Sequence, residues 1–171
     1  MSGVLSLKRE ASPRRGEMVN HMGQSLVSLL VHVVFSTKNR IKLIRPETEQ
    51  ELYPYMCGIL RNHGSPCLAI NGTADHVHML ISLSKNIGLA DLMEDLKKDS
   101  SKWIKTQGAG YKNFHWQDGY AGLSIGQSGV PQVKKYIARQ KEHHKKARFQ
   151  DELIALLKKY EIHYDERYIW T

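Results

Sequence analysis

Cysteine is nearly absent from this chain: Cys57 and Cys67 are two among 171 residues, and their spacing is not that of a metal finger. That excludes a disulfide framework and a thiolate zinc site, and points to reduced thiols in a cytosolic protein. Long apolar runs are also missing. None approaches the roughly 20 residues of a membrane span, and the first residues lack the apolar core and cleavage site of a secretory signal. Acidic residues are scarce, 17 Asp and Glu against 25 Lys and Arg, leaving a formal charge of +8. Such an imbalance favours a polyanionic partner, most often nucleic acid. There is no internal repeat and no second block of distinct composition after residue 24, so the length suits one domain with a real core.

What is present is organised around Asp75-His76-Val77-His78 and the apolar run that follows it, Met79-Leu80-Ile81-Ser82-Leu83. The run is too short for a helix and reads as a buried strand. On a strand, positions i and i+2 share a face. His76 and His78 therefore project together while Val77 points into a core, and two imidazoles side by side can ligate one divalent metal. Two unrelated polar residues at a strand start would have the same spacing, so the pair needs support from elsewhere in the chain.

Residues 1–24 are polar and aperiodic, with Lys8, Arg9, Arg14 and Arg15, and are expected to be a disordered or loose basic arm before a single domain over 25–171. Residues 26–35 read as a central strand interrupted by His32. Pro46 opens a helix with Glu47, Glu49 and Glu51 near its start, and Gly64 closes it. Residues 67–71 form a strand that pairs as a hairpin with the histidine strand. A helix follows, with Leu89, Leu92, Met93, Leu96, Trp103 and Ile104 on one face and Lys97, Lys98, Lys102 and Lys105 around the rest. Residues 123–125 make a fourth strand. The order β-α-β-β-α-β predicts an α+β, ferredoxin-like antiparallel sheet with helices on one face. Beyond it, Ser128 is placed to cap a basic helix running to His144, with Tyr136 and Gln140 one turn apart. A last amphipathic helix carries Leu153, Leu156 and Leu157, and the terminal aromatics are expected to pack back on the body.

Two histidines are too few for a tight metal site. Gln140 offers a carbonyl oxygen suited to Mg²⁺ or Mn²⁺, whereas Asp75 would point off the histidine face. If Gln140 reaches the metal, Tyr136 comes with it, as a nucleophile for a clamped phosphodiester. Its phenol, with an ordinary pKa of about 10, then needs help to lose its proton. As an isolated residue, Tyr136 reads first as an aromatic packing on the core. His143 and His144 read as surface residues of a basic helix.

Asp75-His76-Val77-His78, Trp116-Gln117-Asp118-Gly119-Tyr120 and Tyr136-Ile137-Ala138-Arg139-Gln140 together resemble the HUH-type single-tyrosine transposases. These are small insertion-sequence enzymes acting on single-stranded DNA, together with their repeat-associated domesticated relatives. His32-Val33-Val34-Phe35-Ser36-Thr37-Lys38 resembles that family's first strand, and the likeness covers about residues 26–144. The resemblance implies a homodimer with Mg²⁺ or Mn²⁺ held by His76, His78 and Gln140, and Tyr136 forming a 5′-phosphotyrosine. It further implies hairpin-bearing single-stranded DNA as substrate, cleaved and rejoined, and a cytoplasmic, nucleoid-associated protein of a bacterium or archaeon. In such dimers the tyrosine helix can serve the other subunit's histidines, and the glycines at 126 and 129 would permit that. Residues 1–21 match nothing in the family pattern, and the stretch after Arg148 resembles an extension found in some relatives. Three other readings are compatible with the same residues. They are a domesticated relative without strand transfer, a ferredoxin-like single-strand RNA binder, and a metal-dependent nuclease that uses water. The predicted strands carry few aromatics for base stacking.

Overall fold

The computed structural model describes residues 25–144, 148–165, 167, 169 and 170; the expected basic arm at 1–24 lies outside them. Four strands form one antiparallel sheet: β1 (Leu30–Ser36), β2 (Cys67–Gly72), β3 (His76–Ser82) and β4 (Ala121–Ile125), in the order β2-β3-β1-β4. Helices α1 (Pro46–Asn62) and α2 (Leu89–Lys105) provide the two crossings, which makes this the expected ferredoxin-like arrangement. β1 begins at Leu30, not residue 26. Leu30 is paired with the last residues of both neighbours, Ser82 of β3 and Ile125 of β4. Upstream of it the Leu29 carbonyl still accepts from Leu83 N–H at 2.7 Å, but Leu26, Val27 and Leu29 are exposed.

The sheet has two different faces. Val33 and Phe35 of β1 and Val77, Met79 and Ile81 of β3 pack against Leu52, Met56 and Leu60 of α1 and Leu92, Met93, Leu96 and Ile104 of α2. Each such side chain contributes roughly 1.5–3 kcal/mol by leaving water. The alternate positions (His32 and Val34 of β1, His76, His78 and Leu80 of β3) therefore face the other way, and are buried there as well. Three further helices serve that second face: α3 (Val130–Ala138), α4 (Gln140–His143) and α5 (Phe149–Lys159). The apolar side of α5 and the terminal Tyr164, Ile169 and Trp170 line a cavity of about 380 Å³ with Val34, so these aromatics do turn back on the body.

Two further details differ from the sequence expectation. The basic helix is not continuous to His144: it breaks at Arg139 (φ −96°, ψ 8°). Nor does Ser128 cap it. Ser128 sits inside a 3-10 turn spanning Gln127–Gly129, and its side chain makes no capping hydrogen bond. Among the described residues no helix is long and apolar enough to cross a membrane.

Candidate metal and nucleophile site

The β2–β3 turn sets the first histidine. Gly72 ends β2 against the backbone of His76, where a Cβ would collide with the His76 carbonyl. Thr73 N–H donates to that carbonyl at 3.0 Å. Asp75 precedes β3, and its carboxylate lies 2.7 Å from His76 Nδ1 and accepts from Thr73 Oγ1 at 2.8 Å. A carboxylate at Nδ1 fixes the tautomer and leaves Nε2 as the outward ligand atom. His78 is held in the same way from the neighbouring strand. Its Nδ1 lies 3.0 Å from His32 Nε2, and the rings stack at 5.2 Å. His32, the interruption in β1, thus belongs to the site. Burial, followed by the neighbouring His78, lowers its pKa to about 3, so the ring stays neutral.

The tyrosine helix arrives on top of β2 and β3. Asn71, the β2 residue paired with His78, donates Nδ2 to the carbonyls of Ile137 and Ala138 at 3.0 Å each. Tyr136 stands edge-on to His32 and His78 of its own chain, with ring centroids 6.0 and 5.8 Å away. One turn on, Gln140 is fully buried. Both converge on a residue that sequence reading missed: Glu152 of α5. Its Oε1 accepts the Tyr136 hydroxyl and, at 2.9 Å, Gln140 Nε2. Its Oε2 lies 2.8 Å from His144 Nε2 and 3.4 Å from His78 Nε2. His144 in turn reaches His76 Nε2 at 3.0 Å. His144 is therefore part of the site, with a side chain 10 % exposed, whereas His143 is 40 % exposed and 3.7 Å from Glu152.

Burial pushes the Tyr136 phenol up, and its bond to Glu152 adds to the shift. Burial alone would raise the Glu152 carboxyl too. The adjacent His78 and the hydrogen bonds from Tyr136 and Gln140 outweigh it, holding Glu152 well below the usual carboxylate range. The His78 imidazole is pushed down by burial.

The arrangement fits a divalent cation. His78 Nε2 and Gln140 Oε1 are buried acceptors with no hydrogen-bond partner. Ligand atoms of His76, His78, His144 and Glu152 all lie within 4.8 Å of one another. Ligands about 2.0–2.2 Å from an ion stand at most about 4.4 Å apart, so only a small contraction is needed. A cleft of about 570 Å³ opens onto His76 and His144, bordered by Arg40, Lys42, Lys141 and Arg148. The lysines of α2 do not border it. α2 packs on the opposite face, Lys98 and Lys102 pair with Asp95 and Asp99, and Lys97 Nζ donates to the carbonyls of Gln117, Asp118 and Gly119 at 2.8–2.9 Å.

Known proteins carry the same frame. One solved structure, a Deinococcus radiodurans R1 protein provisionally assigned as a transposase, is similar with a TM-score of 0.54 at 20% identity, over 76% of this chain and 98% of that one. Another, a REP-associated tyrosine transposase bound to a REP hairpin, gives 0.55 at 16% identity, over 72% of this chain and 73% of its own. No curated protein matches the sequence. The sequence pattern of the family described as "Transposase IS200 like" matches residues 25–140. That match spans both histidines of β3, Tyr136 and Gln140, and the chain belongs to this family of transposases.

Proposed function

We propose that the protein cleaves and rejoins hairpin-bearing single-stranded DNA through a covalent 5′-phosphotyrosine at Tyr136, with Mg²⁺ or Mn²⁺ held by His76, His78 and Gln140. The observation that carries this reading is convergence. Tyr136 and Gln140 meet, on one buried carboxylate, the histidine that a separate strand supplies. The metal, when bound, would polarise the scissile phosphate and orient it for in-line attack. The chain's own residues do the rest. Tyr136 Oη forms the bond to phosphorus as the P–O3′ bond breaks, and the proton that the phenol loses is balanced by the one gained at the released 3′-oxygen, which ends as a hydroxyl; Glu152 Oε1, which accepts the phenol O–H, orients Oη. Burial and the bond to Glu152 both hold the proton on the Tyr136 phenol, so its release depends on the bound phosphate and metal. The bond energy is conserved in the phosphotyrosine, so rejoining needs no further energy source. The rim of Arg40, Lys42, Lys141 and Arg148 suits a phosphate backbone entering the cleft. The hairpin substrate is supported by the similar structure that was solved with a REP hairpin. The reading includes a homodimer, which the family resemblance supports; within one chain Tyr136 already stands at that chain's own histidines.

The test is a denaturing gel of labelled single-stranded DNA carrying a hairpin from the flanks of the gene. The expected result is a labelled band at protein-plus-DNA mass that needs Mn²⁺, disappears with EDTA and is absent for Tyr136→Phe. Free cleaved DNA without an adduct would replace this reading with hydrolysis by water. Binding without any cleavage, over a set of hairpins including chromosomal repeats, would leave a domesticated binding protein.

A further inference from the structure

The family pattern ends at residue 140, yet two of the four clustered ligand atoms come from beyond it. We infer that the C-terminal segment completes the metal centre: Glu152 of α5, with His144 after α4, ligates the same cation as His76 and His78. The inference rests on the proposal that the β3 histidines hold a metal, and it goes beyond that proposal in assigning ligands from a part of the chain outside the family match.

Three observations carry it. The first is geometric: the four ligand atoms fall within 4.8 Å of one another, a spacing closed by a small contraction around one ion. The second is the position of Glu152. It lies on the apolar side of α5, in register with Phe149 and Leu156, and its side chain is 3 % exposed. A carboxylate is withdrawn from water at such a place only when something compensates its charge. The phenol and amide bonded to it are neutral donors, and the imidazoles of His144 and His78 lie 2.8 and 3.4 Å away; a dication among these groups compensates the charge while the rings stay neutral as ligands. The third is electroneutrality of the site itself. His76, His78, His144 and Gln140 are uncharged as ligands, so a carboxylate among them is what would offset part of a dication's charge before any DNA phosphate arrives. Asp75 is already engaged with His76 Nδ1 and Thr73, which leaves Glu152. Three imidazoles and one carboxylate also change the choice of ion, because imidazole suits the first-row transition metals and Mg²⁺ prefers oxygen. Mn²⁺ is therefore favoured over Mg²⁺.

The test uses the full chain, freed of metal and without DNA. Mn²⁺ is titrated by calorimetry, and the bound ion is examined by electron paramagnetic resonance for nitrogen couplings. The wild type is expected to bind one Mn²⁺ per chain, at least tenfold tighter than Mg²⁺. Glu152→Gln, which keeps size and polarity, is expected to weaken Mn²⁺ by tenfold or more, and Glu152→Asp to recover part of the loss. If Glu152→Gln does not fold, His144→Gln carries the same expectation, with one nitrogen coupling lost. A change below twofold in a folded Glu152→Gln protein, while His78→Ala abolishes binding, would overturn the inference and leave the histidine-pair reading intact. Mn²⁺ binding that survives His76→Ala and His78→Ala would overturn both.

Discussion

A histidine buried on a strand has to leave its proton on one ring nitrogen, and His32 shows what that does to stability. With Nε2 of His78 facing Glu152 and the cluster, the His78 proton belongs on Nδ1, which donates to His32 Nε2 at 3.0 Å. His32 must then stay neutral, in keeping with a pKa lowered to about 3 by burial and by His78. In the unfolded chain the same ring titrates at about 6.5. Between those values the unfolded state binds a proton that the folded state refuses, so stability is complete above about pH 6.5 and falls with acid. By pH 5 the loss from His32 alone is about 2 kcal/mol. His78, also lowered by burial, acts in the same direction. Urea unfolding in EDTA at pH 7.5, 6 and 5 should show this decline, and His32→Asn should decline by about 2 kcal/mol less. Parallel declines in the two proteins would contradict the assignment. At this scale the sequence was informative where periodicity is strict, in the i, i+2 rule for His76 and His78; Tyr136 and Gln140 meet on Glu152 although the helix breaks between them at Arg139. Glu152 and His144 were not legible. They reach the site through the packing of α5, which no local spacing encodes. The one available signal was a lone carboxylate among Phe149, Leu153, Leu156 and Leu157.

Among the elements, the contact between β2 and α3 decides where the nucleophile stands. A helix ends with unpaired carbonyls. At the end of α3, those of Ile137 and Ala138 are taken by Asn71 Nδ2, from the strand residue directly beside His78. The helix then breaks at Arg139, and α4 sets off with Gln140 turned inward. One side chain thus fixes the Tyr136 helix to the strand pair that carries the histidines. Asn71→Ala should cost about 1–2 kcal/mol of stability, the range for losing hydrogen bonds at a partly buried site. It should also slow adduct formation several-fold with little change in DNA affinity, since Asn71 is not among the residues lining the basic cleft. Asn71→Asp removes the donor and should behave alike; unimpaired cleavage in both would show that Tyr136 is positioned by other contacts. The elements themselves were mostly legible from their apolar patterns, including the hairpin before His76 and the left-handed Gly64 (φ 65°). The break at Arg139 was not. The sequence from Val133 to His144 is periodic enough for one helix, and only a tertiary donor from another strand diverts its carbonyls.

For the whole molecule, the site joins parts of the chain that little else connects. The four clustered ligands come from β3, from the residue after α4, and from α5. α5 meets the sheet's second face through Glu152, through Phe149 stacked on His76 at 4.5 Å, and along a cavity of about 380 Å³ that its own leucines only line. An ion bound there would act as a cross-link between the sheet and the C-terminal helix. Anything that binds the folded state alone stabilises it by RT ln(1 + [L]/Kd), about 2.7 kcal/mol at a hundredfold excess over Kd. For a domain of this size that is roughly 5–10 °C in Tm. Adding Mn²⁺ to metal-free protein should therefore raise Tm by several degrees, and EDTA should reverse the change. The effect should also be localised. Hydrogen exchange in EDTA should quicken in the amides of α5 and α4, while β1 and β3, whose ladder and α1–α2 core do not involve the ion, keep their protection. Glu152→Gln should exchange in α5 as the metal-free wild type does, with or without Mn²⁺. A rise in Tm accompanied by uniform protection across the sheet and α5 would mean that the ion binds the histidine strand alone, and that the C-terminal helix is held by its apolar side only.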